Sequence, residues 1–132
     1  MIVPYTELPD MAGGWPRPLL DIEVGGMTDV LLPCLADSGA LHTLLPRWIA
    51  DADGIALDGL PVISLAVAAA PTGARFTTVR LAAAGSTWDA EVGFCDPWPY
   101  SWGLLGQLSF FRFFSVVFRA ADFEFELDMV AG

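Results

Sequence analysis

The chain has 132 residues and a formal net charge of −10, from six Arg, no Lys and sixteen Asp plus Glu. That length fills one hydrophobic core rather than two, and the acidic balance repels polyanions, which argues against a nucleic-acid partner. No stretch reaches the ~20 apolar residues of a membrane-spanning helix. The first residues lack the basic start and apolar run of a secretory signal, so a cytoplasmic protein without a membrane span is expected.

Residues 1–18 carry Pro4, Pro9, Pro16, Pro18 and the pair Gly13-Gly14, which predicts an extended arm ahead of a single domain over 19–132. Leu20, Ile22 and Val24 alternate with Asp21 and Glu23, the period of a half-buried strand, and Gly25-Gly26 supplies a hairpin turn. The returning strand, 28–36, is nearly all apolar at its far end. Burial on both faces is expected there, with Asp37 delivered into the interior.

Pro46 and Gly54 punctuate a short helix. Residues 61–69 and 75–82 read as a long hairpin with its turn at Ala70-Pro71-Thr72-Gly73, and 87–95 as another alternating strand after Gly85-Ser86. Pro97 and Pro99 force a loop over 96–101. Residues 107–114 suit a short helix, and 116–118 and 123–127 suit two closing strands. Short strands at close intervals predict an all-β fold with one or two short helices, a small closed β-barrel.

Cys34 and Cys95 are far apart in sequence, lack metal-knuckle spacing and read as buried free thiols. His42 is the only histidine, which rules out any site needing two; a Cys-His nucleophile pair has no support from spacing. Neither a metal nor an organic cofactor is indicated. The informative feature is a carboxylate, a hydroxyl and a glycine at the end of an apolar strand, Leu35-Ala36-Asp37-Ser38-Gly39-Ala40. Burying an unpaired carboxylate is costly, so such a placement calls for a compensating role.

The run from Leu35 through Asp37-Ser38-Gly39-Ala40-Leu41-His42-Thr43-Leu44-Leu45, followed later by Leu104-Leu105-Gly106, resembles the retropepsin family of retroviral-type, single-domain aspartic proteases. The family pattern is an apolar strand, Asp-Thr/Ser-Gly-Ala, and an apolar-apolar-Gly segment opening a short helix. The Gly25-Gly26 hairpin and a hairpin that looks like a substrate flap fall in the same order, so the resemblance covers roughly residues 19–127.

The resemblance implies a β-barrel of the retropepsin type, functional as a two-fold homodimer that hydrolyses a peptide or protein substrate in extended conformation. Asp37 would supply one of two carboxyls, one per subunit. Such carboxyls, ~3 Å apart, cannot both ionise and so share a proton. Asp37, Ser38 and Gly39 would be the catalytic triplet, and Ala40, Leu41, Leu105 and the flap residues Ala70, Pro71, Thr72 and Gly73 would bind substrate. Thr43 matches a hydroxyl position near the site.

Two departures bear on activity. Leu41 and Gln107 stand where viral enzymes often carry an acidic residue and an Arg that pair, and the flap lacks double glycines. Two other readings stay open: the altered flap leaves a retropepsin-like dimerisation or peptide-binding module without turnover, and the 55% hydrophobic content with five Trp leaves an unrelated β-barrel for an apolar ligand with Asp37 as a turn residue.

Overall fold

The computed structural model describes residues 1–9, 13–25 and 31–130. Strand β1 (Ile2–Pro4) is followed by β2 (Leu19–Val24), β3 (Leu32–Ala36), β4 (Thr43–Pro46), helix α1 (Arg47–Ala52) and β5 (Ile63–Val67). Then come the long β6 (Ala70–Ala83) and β7 (Ser86–Asp96), β8 (Gly103–Leu105), one π-helical turn (Gln107–Phe111), β9 (Phe114–Arg119), a 3-10 turn (Ala120–Asp122) and β10 (Glu124–Met129). Among the described residues no helix is long and apolar enough to cross a membrane.

Six strands pair in the order β2-β3-β8-β4-β7-β6, and β6 returns to β2 through Glu23↔Ala82 and Val24↔Leu81, closing the expected barrel. Closure gives each of the six strands a paired neighbour on both sides. β5 lies outside the ring as a seventh strand on β6. The side chains follow the alternation of the sequence. In β2, Leu20, Ile22 and Val24 point into the core while Asp21 faces solvent.

The core is aromatic at one end. Trp88 packs edge-on against Phe114, ring centroids 4.9 Å apart, and Phe114 stacks on Phe110 at 5.0 Å. The Trp88 indole N–H donates to the Ser109 carbonyl at 2.8 Å, so the polar end of a buried indole is satisfied while it pins the π-helical turn to β7.

Residues expected to form only an extended arm do more than that. β1 hydrogen-bonds to β10, which pairs with β9 in a separate three-stranded sheet, Thr6 bridges to Arg17, and Leu8 is buried. Gly25 takes the positive φ (+73°) of the expected turn after β2, whereas Gly26 and residues 27–30 lie outside the described residues. In β3, burial alternates rather than covering both faces: Leu32, Cys34 and Ala36 are in the core, and Pro33 and Leu35 are half-buried. Leu35 packs instead in a smaller cluster outside the barrel wall, around Leu44, Ala74, Cys95 and Leu104.

One expectation is corrected. The turn of the long hairpin is not at Ala70-Pro71-Thr72-Gly73 but at Ala68-Ala69, because Val67 pairs with Ala70 and Ala66 with Pro71. All four residues expected at the tip belong to β6. Ala68 and Ala69 both have positive φ, +49° and +65°. Two-residue hairpins need that conformation, which the sequence usually announces with Asn-Gly, not Ala-Ala. Pro71 is tolerated in the strand because it lies one pair beyond the Val67↔Ala70 closing pair. Its missing N–H there faces away from β5, and the β6–β7 ladder begins only at Gly73↔Asp96.

Asp53, just past α1, has both carboxylate oxygens shielded from water with no hydrogen-bond partner among the described residues. Burial, and then the charge of Glu23, push its pKa up. A carboxyl raised in the folded state destabilises the fold when ionised. That cost is fully present above the folded pKa and vanishes below the unfolded value of ~4.

Asp53→Asn is therefore expected to be more stable than the parent at neutral pH, with the advantage shrinking to nothing by about pH 4, in urea melts run across that range. Replacing Ala68-Ala69 by Asn-Gly should stabilise the fold by about 1–2 kcal/mol by removing left-handed alanines. No gain in the same melts would mean that the turn lies elsewhere.

Candidate active site

Asp37 follows directly on the last residue of β3, and its position is set from both sides. Ala36 N–H donates to the Pro18 carbonyl at 2.9 Å, and Asp37 N–H to the Leu105 carbonyl of β8 at 3.0 Å. Beyond it the chain turns tightly. Ala40 N–H reaches the Asp37 carbonyl at 3.0 Å, and Gly39 N–H donates to Asp37 Oδ1 at 2.9 Å. That last bond is an Asx turn, the local geometry that Asp adopts readily. It orients one carboxylate oxygen and leaves Oδ2 without a hydrogen bond among the described residues.

The strand β8 makes this arrangement possible. It is inserted between β3 and β4, parallel to the first (Cys34↔Gly103 to Ala36↔Leu105) and antiparallel to the second (Leu44↔Leu104). The loop 37–42, which joins β3 to β4, thus has to pass over the end of β8, against Gly106. A Cβ on Gly106 would overlap the His42 carbonyl oxygen and stand 2.8 Å from the His42 nitrogen. Only glycine fits there. Gly106 N–H also donates to the hydroxyl of fully buried Thr43 at 3.1 Å, so the expected hydroxyl near the site serves the backbone.

The π-helical turn then clamps the loop. Gln107 N–H donates to the Ala40 carbonyl at 2.9 Å and Leu108 N–H to the Leu41 carbonyl at 3.0 Å, while the Gln107 side-chain amide donates to the Ser38 carbonyl. Gln107, where the resembled pattern often has an Arg, therefore holds the loop by hydrogen bonds rather than by a charged pair. Of the carbonyls of residues 37–41, only that of Gly39 takes no hydrogen bond among the described residues.

Asp37 is half-exposed, not sunk in the interior as its strand suggested, because β3 ends at the mouth of the barrel. Two cavities meet at it. One, of ≈ 320 Å³, is walled by Gly39, Ala40, Leu41, His42, Leu44 and Leu104 and roofed by Leu65, Ala66, Val67 and Ala68 of the hairpin. The other, of ≈ 490 Å³, lies on the Ser38 side, between Leu8, Arg17, Leu35 and Phe118.

Asp37, Gly39, Ala40 and Leu41 are thus brought together in one cleft, with Ser38 exposed on its far side. Leu105 is fully buried and outside the cleft; its neighbour Leu104 lines the wall instead. In a strand, adjacent residues face opposite sides, and the sequence alone did not settle which leucine faced the cleft. Ala70, Pro71, Thr72 and Gly73 also lie outside it. Thr72 is buried with its hydroxyl donating to the Pro97 carbonyl, and Gly73 borders a separate cavity beside Arg47 and Arg75.

The cleft residues that sequence reasoning did not assign to the site are Leu65 to Ala68 of the hairpin and Leu44 and Leu104 of the wall; His42 also lines it, set on Phe76 with ring centroids 4.8 Å apart. An Asn-Gly at the true tip would have revealed the first group; nothing local marked the second.

The other nucleophile candidates fall away on chemistry. Burial pushes the Cys95 thiol up to about 11 and the Cys34 thiol higher still, so neither forms a thiolate near neutrality. Among the described residues, no three His, Cys, Asp or Glu converge as metal ligands. No protein-family model matches the chain, and neither does any curated protein.

Gly106→Ala should cost about 3 kcal/mol, since the clash is with backbone that has no room to yield. A loss below ~1 kcal/mol in urea denaturation would show that the loop is not braced at this point.

Proposed function

We propose that the chain is an aspartic endopeptidase of the retropepsin type, active as a homodimer in which each copy contributes one Asp37. The observation that carries this reading is the setting of that carboxylate. It is oriented by Gly39 N–H and half-exposed at the junction of a roofed cleft and a second, more open cavity beside Ser38.

A lone carboxylate activates water poorly for attack on an amide. Two carboxyls facing each other across a two-fold axis share one proton and supply a base and an acid together. The ionised member takes a proton from a water, whose oxygen attacks the peptide carbonyl carbon. The protonated member donates to the carbonyl oxygen as it gains charge. Collapse of the tetrahedral intermediate then breaks the C–N bond: the departing nitrogen takes the proton that the first carboxyl drew from water, and one hydroxyl returns its proton to the second carboxyl as the new C=O forms.

The surroundings suit that chemistry. The Gly39 carbonyl, which takes no hydrogen bond among the described residues, can accept an N–H from an extended substrate backbone, and Leu41, Leu44, Leu65, Val67 and Leu104 offer apolar side-chain contacts. The open cavity with Leu8, Leu35 and 40%-exposed Phe118 would seat the second copy, which is where the other Asp37 has to come from.

A second reading, a module that binds peptide without cleaving it, is favoured by one feature. The hairpin tip is Ala68-Ala69 and has no glycine to ease an opening motion.

Purified protein is expected to sediment as a dimer and to cleave unstructured Leu-rich peptides somewhere between about pH 4 and 7, with Asp37→Asn lowering the rate at least ~10³-fold. Cleavage that survives Asp37→Ala overturns the protease assignment. A dimer that binds such peptides and cleaves none selects the binding module.

A further inference from the structure

The loop 97–102 contains three aromatic residues among two prolines, and the aromatic rings form one packed unit. Tyr100 stacks on Trp102 with centroids 4.6 Å apart, Trp98 meets Tyr100 edge-on at 5.4 Å, and the Trp98 indole N–H donates to the Trp102 carbonyl at 2.9 Å. All three rings are half-buried. A proline-rich loop whose rings satisfy one another this way is stiff, since neither backbone nor side chains have much freedom to give up.

This unit is fastened to the roof of the Asp37 cleft at two points. The Tyr100 hydroxyl donates to the Val67 carbonyl at 3.4 Å, on the last residue before the Ala68-Ala69 turn, and the Thr72 hydroxyl donates to the Pro97 carbonyl from the other strand of the hairpin. Trp98 and Trp102 pack in the cluster that holds Leu44, Leu65, Val67 and Leu104, all four of which line the cleft. The turn itself is built from two left-handed alanines, a conformation costing ~1–2 kcal/mol per residue, so the tip needs support from outside.

We infer that loop 97–102 is a strut that holds the β5–β6 hairpin at a set height over Asp37, with Tyr100 as its positioning residue. The hairpin does not flex at its tip; access to the cleft requires hairpin and aromatic loop to move together. The ligand this suits is a chain already extended and unfolded, threaded into a preformed slot, since a folded segment would have to lift both elements. The strut stands on these contacts alone, while its effect on substrate rests on the endopeptidase reading.

The test is amide hydrogen exchange of the full-length protein without ligand, comparing the parent with Tyr100→Phe and, separately, Thr72→Val. Loss of either tie is expected to speed exchange at Leu65, Val67 and Ala70 about five- to tenfold, with the amides of β9 and β10 unchanged. Exchange within twofold of the parent in both variants overturns the strut, as does an equal rise in β9 and β10, which marks global loosening.

A second arm uses Asp37→Asn and a fluorophore-labelled, unstructured Leu-rich dodecapeptide. Tyr100→Phe should raise its association rate several-fold, and in the active protein should shift KM at least threefold with kcat within twofold. Faster exchange with no peptide bound by either protein sinks the endopeptidase and substrate readings while leaving the strut in place.

Discussion

At Gly106 two stretches of main chain touch with nothing between them, and the site is organised around that contact. β8 ends there, and the loop carrying Asp37 crosses it so closely that the missing Cβ is the space the crossing needs. Because backbone rests on backbone, the approach is set by van der Waals radii and not by side-chain rotamers, which gives the loop one height. The amides released at the start of the following turn, those of Gln107 and Leu108, then take up the carbonyls of Ala40 and Leu41. A loop of six residues is thereby held by hydrogen bonds from an element that is remote in sequence and rigid in structure.

A second consequence is the division of apolar side chains between two sides of one barrel wall. The inner set, with Trp88, Phe110, Phe114 and Phe125, accounts for the stability of the closed barrel. The outer set, Leu44, Ala74, Cys95 and Leu104 with Trp98 and Trp102 over it, is small and lies under the hairpin. Leu44 and Leu104 of this set line the cleft, and Trp98 and Trp102 pack against the same cluster.

Charge has a lesser part in the architecture. The ion pairs Arg80–Asp89 at 3.0 Å and Arg119–Glu126 at 2.7 Å join neighbouring strands at the surface, where solvent screens them to a small contribution each. Among the described residues, the cleft holds one carboxylate, one imidazole and no guanidinium. A site so poor in charge selects by shape and backbone hydrogen bonding, which agrees with the proposed binding of an extended, largely apolar chain.

Much of this was legible in the residues. The alternation of Leu20, Ile22 and Val24 with acidic neighbours, the prolines of 97–99, and Pro46 and Gly54 around α1 specify local structure through sterics and period alone, and they placed strands, loop and helix correctly. Asp37-Ser38-Gly39 could be singled out for the same local reason, since a carboxylate after an apolar strand is conspicuous.

What the residues did not reveal depended on partners far along the chain. The hairpin turned at Ala68-Ala69 rather than at the Pro-Gly signal because the pairing of β5 with β6 outweighed local turn chemistry. Leu104, not Leu105, faces the cleft because β8 is wedged between β3 and β4, and Asp37 is half-exposed because β3 stops at the barrel mouth. Sequence thus determined which segments extend and where a carboxylate would be presented. Only the tertiary structure decided register, facing and depth, because those follow from contacts between strands that no local pattern encodes.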